Sequence, residues 1–136
     1  MKMARSCKGR ATVICYRDEK VLLVRKPKAK WVLPGGKIEP DEAPIEAAAR
    51  ELSEETGMTS EALAFIGIHK FEGRSHHVFQ FSVPGSIIAQ PQNEIADCQW
   101  FSLQDLGCES VKRPSIELLK LYGEPSVKPP DTGALQ

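Results

Sequence analysis

The segment 41–57, "DEAPIEAAARELSEETG", places the strongest constraint on what this chain can become. Asp41 can act as an N-cap, Pro44 falls in a first turn where its missing N–H is no loss, and Gly57 sits where helices end in a left-handed residue. These signals predict a helix over about 42–56. At about 100° of rotation per residue, Ile45, Ala48, Ala49, Leu52 and Thr56 gather on one stripe, with Glu51, Glu54 and Glu55 roughly opposite. An apolar stripe of this kind needs a surface to cover it.

The rest of the chain supplies strands. "ATVICY" (11–16) and "VLLV" (21–24), split by "RDEK", predict a hairpin with a tight turn. "WVLPGGKIEPDE" (31–42) reads as a loop leading into the helix. "ALAFIGIHKFEG" and "SHHVFQFSV" predict two strands around a turn near Glu72-Gly73-Arg74, and "CQWFSL" a last one. "PSIELLKLYG" predicts a second helix with Ile116, Leu119 and Leu118 or Leu121 inward. Strands interleaved with two helices indicate an α/β domain with a mixed sheet covered by helices. One domain over 1–122 and a loose tail over 123–136, rich in proline and polar residues, is the expected organisation.

Charge is balanced, with 18 lysines and arginines against 18 aspartates and glutamates. No global field therefore points to nucleic acid or a membrane surface. Cys7, Cys15, Cys98 and Cys108 show no C-x-x-C spacing, which argues against a zinc site and suits reduced thiols. No apolar run is long enough to span a bilayer, and the first ten residues lack a signal-peptide core. The expected location is the cytoplasm; a homodimer is compatible with all of this.

Glu51 and Glu55 form an i,i+4 like-charge pair, and the acids lie at the helix C-terminal end, where the macrodipole disfavours anions. Solvated glutamates account for most such faces. Here few basic partners share the stripe, and a divalent cation would relieve both the repulsion and the dipole. Mg²⁺ or Mn²⁺ takes carboxylate oxygens together with waters and substrate phosphates. Such an ion polarises a phosphoryl oxygen and lowers the pKa of bound water, so a phosphate ester or anhydride is the fitting substrate. Arg50, at i+4 from Glu46 and i−4 from Glu54, can pair with either and orient a glutamate.

Gly36, Glu42, Arg50, Glu51, Leu52, Glu54, Glu55, Gly57 and Met58 fill every defined position of G-x5-E-x7-R-E-U-x-E-E-x-G-U, where U is aliphatic and methionine serves as the last apolar residue. The chain thus resembles the Nudix hydrolase family, and in its short single-domain build the mutator-type branch. "WVLPGGKIEP" and "EIADCQWFSLQDL" extend the likeness outside the box. The resemblance implies an α/β/α sandwich that hydrolyses nucleoside diphosphates linked to another moiety, with water attacking one phosphorus. Nucleoside triphosphates, oxidised ones included, are the leading substrates. Relatives cleave dinucleoside polyphosphates, nucleotide sugars, capped RNA or diphosphoinositol polyphosphates, and a non-catalytic nucleotide-sensing module is the alternative. By position, Glu51, Glu54, Glu55 and the Gly36 carbonyl resemble the metal ligands, Arg50 the residue that orients them, and Glu42 a structural partner. Glu54 or Glu94, the latter outside the box, is the residue to activate water.

Beyond the box, Arg25 and Lys37 are candidates to reach a substrate phosphate. Trp31 and Trp100 are expected to pack rather than stack on a base. His76 and His77 point to opposite faces of one strand.

Overall fold

The computed structural model describes residues 9–108 and 110–122. Cys7 and the tail expected to be loose lie outside the described residues. The two aliphatic runs form β1 (Gly9–Arg17) and β2 (Lys20–Arg25). They turn through Asp18 and Glu19, whose φ values of 51° and 66° match the twist of the flanking strands. The same device joins β4 (Ala64–Phe71) to β5 (Arg74–Ser82), with φ of 54° at Glu72 and 82° at Gly73. Between these hairpins lie β3 (Gly35–Lys37) and α1 (Pro44–Thr56), and after them β6 (Asp97–Ser102), a 3-10 turn (Leu103–Cys108) and α2 (Arg113–Tyr122).

The sheet runs β4-β5-β1-β2-β6, with β3 on β1. β1 and β5 are parallel and the other pairs antiparallel, so the sheet is mixed. As a central strand β1 is buried on both faces, which is why its sequence is a continuous apolar run. Ala11, Val13 and Cys15 face α1 through Ala47, Ala48 and Leu52. Ile14 and Tyr16 join Val21, Leu23, Val78 and Phe101 on the other face beneath Leu118 and Leu119 of α2. The result is an α/β/α sandwich. Each fully buried Leu, Ile or Val contributes roughly 1.5–3 kcal/mol.

Three local expectations change and one open alternative is resolved. Residues 35–37 form a strand, not part of a loop: β2 pairs with β1 only near the hairpin turn, at Tyr16 and Arg17, so the rest of that edge is taken by Gly35, Gly36 and Lys37. The N-cap of α1 is Ala43, not Asp41. A residue before proline is held out of the helical region, and Ala43 with ψ of 152° precedes Pro44. The buried stripe is also rotated: Ala47, Ala48, Leu52, Glu55 and Thr56 are covered, whereas Ile45 is 47% exposed. On α2, Leu118 is buried and Leu121 is exposed.

Trp31 is core, edge-on to Phe101 at 5.0 Å between ring centroids. Trp100 is partly buried beneath the Arg17 guanidinium.

Candidate active site

The C-terminal half of α1 lies against β3, and this contact brings the box together. Gly36 is required there by proximity: a Cβ at this position would stand 2.3 Å from Oε2 of Glu51. The Gly35 N–H donates to Oε1 of Glu55 at 3.1 Å. Glu55 is 7% exposed, so it lies on the buried side of the helix and not opposite it as the stripe analysis placed it. Burial, then the charges of Glu51 and Glu94 and a hydrogen bond with Glu51, push its carboxyl up to about 8, although the Gly35 N–H opposes this.

Arg50 is the hub of the exposed side. Its Nη1 donates to Glu51 at 3.1 Å and to Glu54 at 3.4 Å, and its Nη2 to the Lys37 carbonyl at 3.1 Å. Glu42 accepts from Nε and Nη2 in a fork. These hydrogen bonds from Arg50 foremost, helped by the Glu39 N–H, hold the Glu42 carboxyl down at about 2. Glu46, the other partner considered for Arg50, instead accepts the N–H of Ala43 at 2.9 Å and so caps the helix. Glu54 remains 52% exposed.

A cleft of about 340 Å³ is lined by Gly35, Gly36, Lys37, Glu51, Glu55 and Glu94 together with Arg10, Lys26, Lys30 and Lys112. Glu94 belongs to a different part of the chain, and the fold brings it beside Glu55. Arg25 is not among the residues lining the cleft. Its guanidinium lies 4.4 Å above the Trp31 ring and 3.9 Å from Asp97. Among the described residues no three His, Cys, Asp or Glu side chains converge on one point; Glu54 is turned toward Arg50.

The cleft continues past Arg10, Val32 and Lys112 into a second cavity of about 530 Å³ on the α2 face of the sheet. Its apolar lining is Val32, Leu33, Phe71 and Leu118, and its polar lining is Arg10, Arg74, His76 and Lys112 with Glu72. Burial first, then Arg74, holds the Arg10 guanidinium below its usual value. Burial, then Arg10 and Arg74, does the same to His76, whose Nδ1 has no partner among the described residues. His77 is on the opposite face, beside Gly9 and Ile38.

Lys37 lines the cleft as a candidate already named, but Arg10, Lys26, Lys30, Arg74 and Lys112 escaped sequence reasoning because they are scattered. Lys112 reaches the site because the segment before α2 pairs with Trp31, its N–H donating to the Trp31 carbonyl at 2.9 Å. A lone cation in a loop carries no such signal.

A mixed sheet between two helices, with an arginine-held glutamate set facing a basic cleft, defines the class of phosphoanhydride hydrolases built on this sandwich. The chain belongs to the NUDIX family: the NUDIX domain matches residues 8–122. It is 32% identical over 133 residues to diphosphoinositol polyphosphate phosphohydrolase 2 of Rattus norvegicus, covering 88% of this chain and 74% of that one. It is 36% identical over 98 residues to a candidate 8-oxo-dGTP diphosphatase of Bacillus subtilis, covering 69% and 65%. The crystal structure of a candidate nudix hydrolase family member from Chromobacterium violaceum superimposes with a TM-score of 0.76 at 26% identity, covering 91% and 80%. The protein is a Nudix hydrolase.

Proposed function

We propose that the chain is a pyrophosphohydrolase dependent on Mg²⁺ or Mn²⁺ that cleaves the phosphoanhydride of a nucleoside triphosphate or related nucleotide. The observation that carries this reading is a single cleft lined both by the acids Glu51, Glu55 and Glu94 and by the cations Arg10, Lys26, Lys30, Lys37 and Lys112. A cation with its phosphates would neutralise both sets of charge at once.

The donor set suits a hard divalent ion: Glu51 and Glu55 are close enough to share a hydrogen bond although both are acids. Glu51, Glu54, Glu55 and the Gly36 carbonyl would hold it. When bound, such an ion neutralises charge on phosphoryl oxygens and lowers the pKa of water. The chain's own residues do the rest. Arg50 holds Glu51 and Glu54 in place; Glu54, exposed beside it, or Glu94 near Glu55 takes the proton of the attacking water. Lys37 and its basic neighbours receive the phosphates, and the apolar lining of the second cavity takes a base.

A second reading, a diphosphoinositol polyphosphate as substrate, is favoured by the density of cations at Arg10, Arg74 and Lys112. We place the protein in the cytoplasm. No helix among the described residues is long and apolar enough to cross a membrane, and Cys15 and Cys98 are free.

The test is Mg²⁺-dependent release of phosphate or pyrophosphate from dGTP, 8-oxo-dGTP, a dinucleoside polyphosphate and a diphosphoinositol polyphosphate, repeated with Glu54→Gln and Glu94→Gln. Turnover of a nucleoside triphosphate lost in one variant supports the proposal and identifies the base. Turnover of the inositol compound alone selects the second reading. Tight nucleotide binding without turnover overturns both in favour of a sensor.

A further inference from the structure

We infer that Asn93 is a positioning residue that holds Glu94 in the carboxylate cleft. This rests on the reading that Glu94 belongs to that cleft. The connection between β5 and β6 is docked on the end of α1, where helix carbonyls lack partners of their own. The Gln90 N–H donates to the Thr56 carbonyl at 2.9 Å and the Gln92 N–H to the Glu55 carbonyl at 3.2 Å. The Asn93 Nδ2 donates to the Glu54 carbonyl at 2.7 Å. These acceptors are the backbone carbonyls of Glu54, Glu55 and Thr56, two of which belong to box glutamates. The loop is therefore tied to the residues whose side chains it must meet.

Asn93 also sets the direction of the chain. Its φ is 55°, a left-handed value that asparagine tolerates better than most side chains. A turn closed by the Ile95 N–H on the Gln92 carbonyl at 3.0 Å follows, and Ile95 is buried. Glu94 sits between the Asn93 anchor and the buried Ile95, and the Ala96 N–H donates to the Arg25 carbonyl at 2.7 Å just beyond. At its other end the connection is held by Arg17, which donates to the carbonyls of Pro84 and Ile87. Removing the Asn93 amide deletes the side-chain tie adjacent to Glu94 and loosens the turn there, while its backbone bonds and the distal end held by Arg17 remain.

The full chain is tested with Mn²⁺ alone, its affinity measured by electron paramagnetic resonance, in Asn93→Gly, Glu94→Gln and the double variant. Glycine accommodates the left-handed backbone while deleting the side chain that carries the amide. Removing a carboxylate beside the ion weakens binding, so Glu94→Gln is expected to bind Mn²⁺ about tenfold less tightly. Asn93→Gly should lose a similar factor, and the double variant no more than either single one. Hydrogen exchange at the Gln90 and Gln92 amides should quicken in Asn93→Gly while β1 and β5 stay protected, a pattern that general destabilisation would not produce. With the substrate found by the nucleotide panel, kcat should fall in Asn93→Gly with KM held.

If Glu94→Gln weakens Mn²⁺ binding and Asn93→Gly does not, positioning by Asn93 is overturned and the place of Glu94 stands. Additive losses in the double variant overturn it equally. If Glu94→Gln binds Mn²⁺ as the unmodified chain does, Glu94 does not act on the ion, and the inference that Asn93 positions it there fails.

Discussion

Arg50 grips Glu42 with two parallel hydrogen bonds, Nε to Oε2 at 2.6 Å and Nη2 to Oε1 at 3.0 Å. The glutamate before the helix thus fixes the guanidinium, and the guanidinium's remaining nitrogen fixes Glu51 and Glu54. Glu42 orients the acid set without belonging to it. Arg50→Lys keeps the charge and loses the fork. Its Mg²⁺-dependent kcat should fall roughly 10- to 100-fold, while circular dichroism shows a folded protein. Retained activity would deny the orienting role.

Gly36→Ala tests the approach of β3 to α1. The added Cβ meets the Glu51 carboxylate at 2.3 Å, so that side chain must turn away. Mn²⁺ affinity should drop about 10- to 100-fold with little change in Tm. Unchanged affinity would remove Glu51 from the ligand set.

Glu55 makes the metal-free protein sensitive to pH in an unusual direction. Its carboxyl rises from 4.5 to about 8 on folding, so between those values the folded chain keeps a proton that the unfolded chain has released. Stability should therefore fall as pH rises through that window and level off above it. Urea midpoints in EDTA at pH 5, 6.5 and 8 should decline in that order. Glu55→Gln should abolish the trend. A flat profile in the unmodified protein would contradict the burial of an acid at this position.

Arg10 and Arg74 line the same cavity with no ion pair shown to either among the described residues. An anionic part of the substrate is their natural partner. Arg10→Gln and Arg74→Gln should each raise KM about tenfold with kcat nearly constant. The rise in KM of the unmodified enzyme with salt should flatten in the variants. A fall in kcat with KM unchanged would place these arginines outside substrate binding.

The rotated face of α1 gives a stability test. Leu52 is fully buried and Ile45 is 47% exposed. Leu52→Ala should lose roughly 2–5 kcal/mol and Ile45→Ala no more than about 0.5 kcal/mol, read from urea midpoints. Equal losses would restore the stripe that helical periodicity alone suggests.

Much of this protein is written in local signals. Aliphatic runs bounded by polar turns defined the hairpins, Pro44 and Gly57 bounded α1, and the spacing from Gly36 to Met58 identified the family, because each of these depends on residues a few positions apart. What periodicity missed depended on neighbours distant in sequence. β3 exists because an edge of β1 was left open at Ala11 and Thr12. Glu55 faces inward because the Gly35 N–H is there to receive it.

The sequence by itself determined the class of fold and the family box with its acids, since turn, cap and helix preferences act within a few residues. The tertiary structure alone decided which acids are buried, that Glu94 and Lys112 meet the box, and that Arg25 turns to Trp31 instead of the cleft. Burial and charge proximity are properties of packed surfaces. No window of sequence contains them.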